Sequence, residues 1–132
     1  MAGLSPDALR ALGFSRNKAA AIIEVARSLV YHTRDLENLP DLENSAAMTR
    51  LLALKGIGRW SAEYVLLRGL GRWSVFPGDD AGVRRHLQAR LKLPEPPDYH
   101  EVGRRLAAWR PYAGLIYFHF LLNRLADEGH LP

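Results

Sequence analysis

The sequence predicts an all-α protein on three observations. Apolar residues recur at the three- and four-residue spacing of a helical face through most of the chain. Ser, Asp, Pro and Gly stand where helices would be capped, opened and closed. No stretch alternates with the period of two that a half-buried strand requires, and there is no internal repeat. The 132 residues read as a single domain, because no linker is long enough to divide them, and they suffice to bury a substantial core.

Taken in order, Ser5-Pro6-Asp7 supplies an N-cap, a proline at the first helical position and an acid favoured by the helix dipole, with Gly13 closing this short helix. Ser15 caps a second helix. Its stripe Ala19, Ile22, Ile23, Ala26, Leu29 and Val30 faces the core, and Arg16, Lys18, Glu24 and Arg27 face water. Thr33 to Pro40 is a connector with room for one turn. Asp41 or Asn44 then caps a helix whose Ala47, Leu51, Leu52 and Leu54 lead into a sharp corner. The helix beyond it, Arg59 to about Leu70, is apolar on two faces: Trp60, Tyr64 and Leu67 on one, Ala62, Val65 and Leu66 on the other, with Glu63 and Arg68 between.

Gly69 and Gly71 end that helix, and an irregular bridge from Trp73 to Gly78 leads to Asp79-Asp80. The next helix runs through Val83, Leu87 and Leu91, with Arg84, Arg85 and Arg90 off the stripe. Pro94, Pro96 and Pro97 break the chain, and Asp98 caps a helix on which Val102, Leu106 and Trp109 share a face. Pro111 restarts the last helix. It is apolar nearly all round from Ala113 to Leu125, the pattern of a buried element, so His119 within it reads as a hydrogen-bonded core residue.

Composition narrows the chemistry. The chain has no cysteine, which excludes disulfides, thiolate zinc sites and iron–sulfur clusters. The histidines at 32, 86, 100, 119 and 130 lack ligand spacing, so no metal site is expected. The longest uncharged run, Pro111 to Asn123, is too short to cross a bilayer, and the N-terminal stretch is not signal-like. An intracellular protein is expected, cytoplasmic or nucleoid-associated in a bacterium, with no membrane partner. The net charge of +4 is unevenly spread: residues 1–54 balance six basic against six acidic side chains, whereas residues 55–132 hold twelve against eight. Such a local excess suits a polyanionic partner, and scattered arginines on solvated helix faces give the same count.

The corner itself is the most informative stretch. In Lys55-Gly56-Ile57-Gly58-Arg59, two glycines flank a β-branched residue, so the turn needs unusual dihedrals or bare backbone at both glycines while Ile57 plugs the junction. Exposed amides at the start of the following helix, its positive dipole end, and Lys55 and Arg59 make a site for a phosphate. A nucleic-acid backbone is the natural guest. Asp79-Asp80, at the start of a later helix, is the first adjacent acidic pair downstream of the corner. By position alone such acids are helix caps, and Trp60, Tyr64 and Trp109 at helical spacing are core.

The fuller run Leu54-Lys55-Gly56-Ile57-Gly58-Arg59-Trp60-Ser61-Ala62, with an aspartate after the second helix, resembles the signature of the helix-hairpin-helix (HhH-GPD) DNA glycosylases, in particular their 3-methyladenine DNA glycosylase II branch. Val75-Phe76 and Trp109-Arg110-Pro111-Tyr112-Ala113 add to the match. The resemblance implies a helical bundle with the hairpin motif at about residues 45–70, lacking the N-terminal helices of the full family domain. It implies base-excision repair: hydrolysis of the N-glycosidic bond of an alkylated purine flipped out of duplex DNA. Asp80 would be catalytic, Trp60, Tyr64 and Trp109 would line the base pocket, and Lys55, Gly56, Ile57, Gly58 and Arg59 would bind the DNA backbone. No cofactor is implied beyond a monovalent cation on the hairpin carbonyls. Trp60 stands where strand-cleaving relatives carry a Schiff-base lysine, so no lyase activity is implied. An aspartate in this role either stabilises the sugar cation or activates water.

Without the missing helices, apolar faces would be exposed and would favour self-association or a covering segment. Two other functional classes fit the same residues. One is a non-catalytic hairpin module or inactive remnant that grips phosphates without specificity; the other is a helical protein that binds no DNA.

Overall fold

The structure, a computed structural model, describes residues 2–31 and 36–130. Among them are seven α-helices and no strand: α1 (Pro6–Arg10), α2 (Arg16–Val30), α3 (Asn44–Leu52), α4 (Arg59–Tyr64), α5 (Ala81–Leu91), α6 (Tyr99–Arg105) and α7 (Ala113–Asp127). Short 3₁₀ turns cover Leu39–Asp41 and Ala107–Tyr112. No described helix is long and apolar enough to cross a membrane. The chain divides into two compact units, Met1–Gly58 and Arg59–Pro132.

In the first unit, the Ser5 hydroxyl accepts the Ala8 amide at the start of α1 and the Ser15 hydroxyl accepts the Lys18 amide at the start of α2. Gly13 takes a φ of +90°, which lets the chain reverse between the two helices. Leu9 of α1 packs with Ala19 and Ile23 of α2. The stripe of α2 is buried only in part: Ile22 and Ala26 are half-buried, and Leu29 and Val30 are exposed, as are Leu12, Phe14 and Tyr31. The expected cap of α3 also shifts, since Glu43 is its N-cap residue and Asn44 its first helical residue. The connector's one turn is the Leu39–Asp41 3₁₀ turn, while its Thr33–Asp35 stretch and His32 lie outside the described residues.

The second unit packs around Leu67, Val83, Leu87, Val102, Leu106, Tyr117 and Phe120. Helix α4 runs into a wider π turn over Val65–Gly69, closed by the Leu70 amide donating to the Val65 carbonyl at 3.1 Å. Ala62 and Leu66 on one face and Leu67 on the other are buried, but Val65 is exposed, so the grip on this helix from both sides is incomplete. Leu91 at the end of the α5 stripe is likewise exposed. The last helix is one-sided rather than wholly buried. Its Ala113, Gly114, Tyr117 and Phe120 are inside, while Leu115, Leu122, Leu125 and His119 face out, which overturns the core assignment of His119. Pro111 belongs to the preceding 3₁₀ turn, not to α7.

Candidate active site

Asp80 is the N-cap residue of α5. Its Oδ1 accepts the Gly82 amide at 2.8 Å and the Val83 amide at 3.0 Å, which satisfies two of the helix's open donors and is worth about 1 kcal/mol as a cap. Its Oδ2 accepts the Tyr117 hydroxyl at 2.7 Å and the Trp60 indole N–H at 3.1 Å. The cap thus takes one oxygen of the carboxylate, and the two side-chain donors take the other. Partial burial works to raise the Asp80 pKa, but donation from Tyr117, Val83, Trp60 and Gly82 outweighs it and holds the group below the usual carboxylate range. Tyr117 is pushed up in turn, first by burial and then by its bond to Asp80, so it stays a proton donor.

Rings surround this carboxylate. Trp60 and Tyr64, one turn apart on α4, stack with centroids 5.3 Å apart, and Tyr117 meets Tyr64 edge-on at 6.0 Å and Phe76 at 5.6 Å. Arg68 donates to the Tyr64 hydroxyl at 2.7 Å and lies over the Tyr64 ring. Trp60 remains 43% exposed and Tyr64 half-buried, so neither is the buried core residue that helical spacing alone suggests. Trp109 differs. It sits on the Ala107–Tyr112 3₁₀ turn, 60% exposed, outside the face that Val102 and Leu106 share, because α6 ends at Arg105. None of the ring contacts around Asp80 includes it.

Arg59 and Asp79 belong to a neighbouring cluster. The Arg59 Nε lies 3.6 Å from Asp79 Oδ2, and its guanidinium carbon stands 4.2 Å from the centre of the Tyr99 ring. Tyr99 donates its hydroxyl to Glu63 Oε1 at 2.6 Å, and burial, then this bond, raise its pKa to about 12. Gly78 makes room for the ring: a Cβ there would meet Tyr99 Cδ2 at 2.9 Å. Glu63 is the residue that sequence reasoning missed. Read as lying between two apolar faces of α4, it is only 4% exposed, and its Oε2 has no hydrogen-bond partner among the described residues. The available signal was its place one residue after buried Ala62 and four before buried Leu67, which puts it at the edge of both faces.

Burial raises the Glu63 pKa, and the Asp79 charge adds to this; the Tyr99 bond, the Gly78 amide and Arg59 pull the other way without reversing it. A carboxylate whose folded pKa lies above its unfolded value of about 4.3 costs no stability below that value and costs increasingly more as pH rises through the folded pKa. Glu63→Gln therefore gains thermal stability relative to the parent as pH rises above about 4.3, and the difference closes in more acid solution. Melting curves from pH 4 to 8 check it. A pH-independent difference would mean that Glu63 titrates alike in the folded and the unfolded chain, and would overturn the effect of its burial.

The hairpin residues Lys55, Gly56, Ile57 and Gly58 lie at the end of the first unit. Gly56 adopts a φ of +89°, and a Cβ on it would come within 2.7 Å of the Ala21 Cβ, so both conformation and space exclude a side chain. Gly58 has no positive φ and open space around it. The Ile57 amide donates to the Leu54 carbonyl at 3.1 Å, Ile57 is half-buried, and Lys55 is exposed.

Residues 1–111 match the model of a family described as HhH-GPD superfamily base excision DNA repair protein. The chain is 33% identical over 132 residues to DNA-3-methyladenine glycosylase 2 of Escherichia coli, spanning 100% of itself and 42% of that protein. It is 28% identical over 123 residues to DNA-3-methyladenine glycosylase 1 of Schizosaccharomyces pombe, spanning 92% of itself and 54% of that protein. The fold is similar to that of a 3-methyladenine DNA glycosylase of the same yeast solved in complex with abasic DNA, with a TM-score of 0.80 and 27% identity over 90% of this chain and 58% of that one. It is also similar to a 3-methyladenine DNA glycosylase from Archaeoglobus fulgidus, with a TM-score of 0.71 and 36% identity over 91% of this chain and 40% of that one. The chain thus spans about half or less of the length of these curated relatives.

Proposed function

Because the chain belongs to the HhH-GPD superfamily of base excision DNA repair proteins, we propose that it carries the catalytic portion of a monofunctional DNA glycosylase for alkylated purines, with Asp80 as its catalytic residue. The observation that supports this best is the ionised Asp80 carboxylate, held by four hydrogen bonds beside stacked rings. In the reaction the C1′–N bond breaks, the base leaves with the electron pair, and positive charge develops on the sugar. The fixed negative charge of Asp80 stabilises that cation. Water then adds at C1′ and its proton passes to solvent, leaving an abasic site in an intact strand.

With both oxygens already accepting two hydrogen bonds each, Asp80 is a weak base, which favours electrostatic stabilisation over activation of water. Trp60 and Tyr117 act as positioning residues for the carboxylate. Trp60 and Tyr64 offer electron-rich faces to an N-alkylated purine, whose delocalised positive charge gains about 1–2 kcal/mol from such stacking. Trp109, exposed on its 3₁₀ turn, would contribute to the base pocket through the bound base rather than through contact with the ring stack. Lys55, Gly56, Ile57, Gly58 and Arg59 would bind the phosphate backbone. A monovalent cation on the carbonyls of that turn would supply positive charge for the same phosphate. No amine stands at Trp60 to form a Schiff base, so strand cleavage is not part of the activity.

The test is release of free N-methylated purine from methylated duplex DNA by the purified chain, with the strand scored by gel. Base release without nicking is expected. Salt-sensitive DNA binding with no release would instead favour a non-catalytic hairpin module.

Tyr117→Phe removes one donor from Asp80 Oδ2, so the carboxylate loses a bond that lowers its pKa. Base release falls as acid protonates Asp80. In the variant this acid limb moves to higher pH and the rate at neutral pH drops several-fold. A pH–rate profile with an unmoved limb would remove Tyr117 from the positioning role.

A further inference from the structure

A second basic feature stands next to Asp80 on the second unit. Gly82, Arg85, His86, Arg124 and Glu128 line an open groove of about 500 Å³. We infer that this groove binds a phosphodiester of the DNA strand that presents its nucleoside to Asp80. The inference rests on the DNA-directed reading above.

Three side chains in the groove carry N–H donors and one carries a carboxylate, so the lining favours an anion. Arg85 is exposed and makes no hydrogen bond or ion pair with any described residue. The His86 ring is fixed by stacking on Phe120, with centroids 5.9 Å apart and planes 12° apart, which leaves its orientation set before a ligand arrives. Arg124 is tied to Glu128 through Nε at 2.8 Å, while its Nη1 lies 3.8 Å from the position of a Cβ on Gly82. An exposed i, i+4 pair of this kind is weak, so a phosphate that offers a guanidinium two oxygens can displace Glu128.

Gly82 links the groove to the chemistry. The same residue lines the groove and donates its amide to Asp80 Oδ1. A ligand seated on Arg124 and Arg85 is therefore next to the carboxylate, where a phosphate flanking a nucleoside at Asp80 would lie. A Cβ at Gly82 would stand 3.2 Å from Asp80 Oδ1, so glycine also keeps this floor low.

The test is fluorescence anisotropy of the full chain with labelled duplex DNA holding one abasic site, titrated at several sodium chloride concentrations. Arg85→Ala is expected to weaken binding several-fold near 0.1 M salt and to reduce the slope of log affinity against log salt by about 1. Glu128→Gln frees Arg124 and is expected to tighten binding, a gain that misfolding cannot imitate. Arg90→Ala, which removes an exposed charge at the far end of α5, should change neither quantity. Equal losses from Arg85→Ala and Arg90→Ala would mean bulk charge and overturn the groove, as would an unchanged slope, no tightening with Glu128→Gln, or no DNA binding by the parent chain. Stabilisation of the parent by inorganic phosphate that Arg85→Ala abolishes, with DNA affinity untouched, would assign the groove to a free phosphate ligand and likewise overturn it. Base release is scored separately, so a groove that behaves as stated in a chain releasing no base would sink only the glycosylase reading.

Discussion

Asp80→Asn is expected to leave a folded, DNA-binding protein that releases base roughly 100- to 1000-fold more slowly, the size of loss seen when one pre-organised electrostatic partner of a transition state is removed. Asparagine is as good an N-cap as aspartate, so its side-chain oxygen can keep the Gly82 and Val83 amides and α5 should still start at Ala81. The change falls on the other atom. Where Oδ2 accepted from Trp60 and Tyr117, the variant presents an amide that donates; the tyrosine hydroxyl can turn to accept, but the indole N–H cannot. A modest drop in melting temperature should accompany the loss of rate. Single-turnover release from methylated duplex, measured beside DNA affinity and a thermal melt, separates the two effects. Undiminished release in a folded variant would end the case for Asp80.

The largest structural effect is expected from Gly114→Ala. Gly114 sits in the first turn of α7, buried, and donates its amide to the Trp73 carbonyl at 2.7 Å. A methyl there would collide with the Leu67 side chain and stand 2.8 Å from the carbonyl oxygens of both Trp73 and Val75. Leu67 can rotate, but the two carbonyls are backbone. Relief requires moving either the 70–80 bridge, which carries Asp80, or α7, which carries Tyr117. Overpacking of this kind costs about 3 kcal/mol, or a melting point lower by about 10 °C in a chain of this size, and base release should fall with it. Gly103→Ala provides the contrast. Gly103 lies exposed within α6 with nothing near its missing Cβ, so alanine there should add about 0.5–1 kcal/mol of helix stability. If both variants melt alike, the close approach at Gly114 is not what fixes the bridge.

Much of this fold was legible in the chain because the signals were short-range. The caps at Ser5, Ser15 and Asp98 each involve a side chain and an amide three residues on, and all three form. Gly13 and Gly56 have the positive φ that their turns demand. The approach of Trp60 to Tyr64 follows from a spacing of four on one helix. Misread elements share a different property. Trp109 left its expected face because α6 stops at Arg105, and α7 buries one side because its neighbours cover only one, though its composition is apolar all round.

Residue types and helical period therefore determined by themselves that this is an all-α protein with a glycine corner and an aspartate capping α5, since each of those features is decided within about one helical turn. Tertiary structure alone decided that the second oxygen of that aspartate is claimed by Tyr117, 37 residues away, that Glu63 is sealed from water beneath Tyr99, 36 residues away, and that Arg85 and Arg124 meet in one groove. The physical reason is that a hydrogen bond or a burial depends on which surface a neighbouring helix presents. Residues far apart in the chain set that surface, and no local periodicity encodes it.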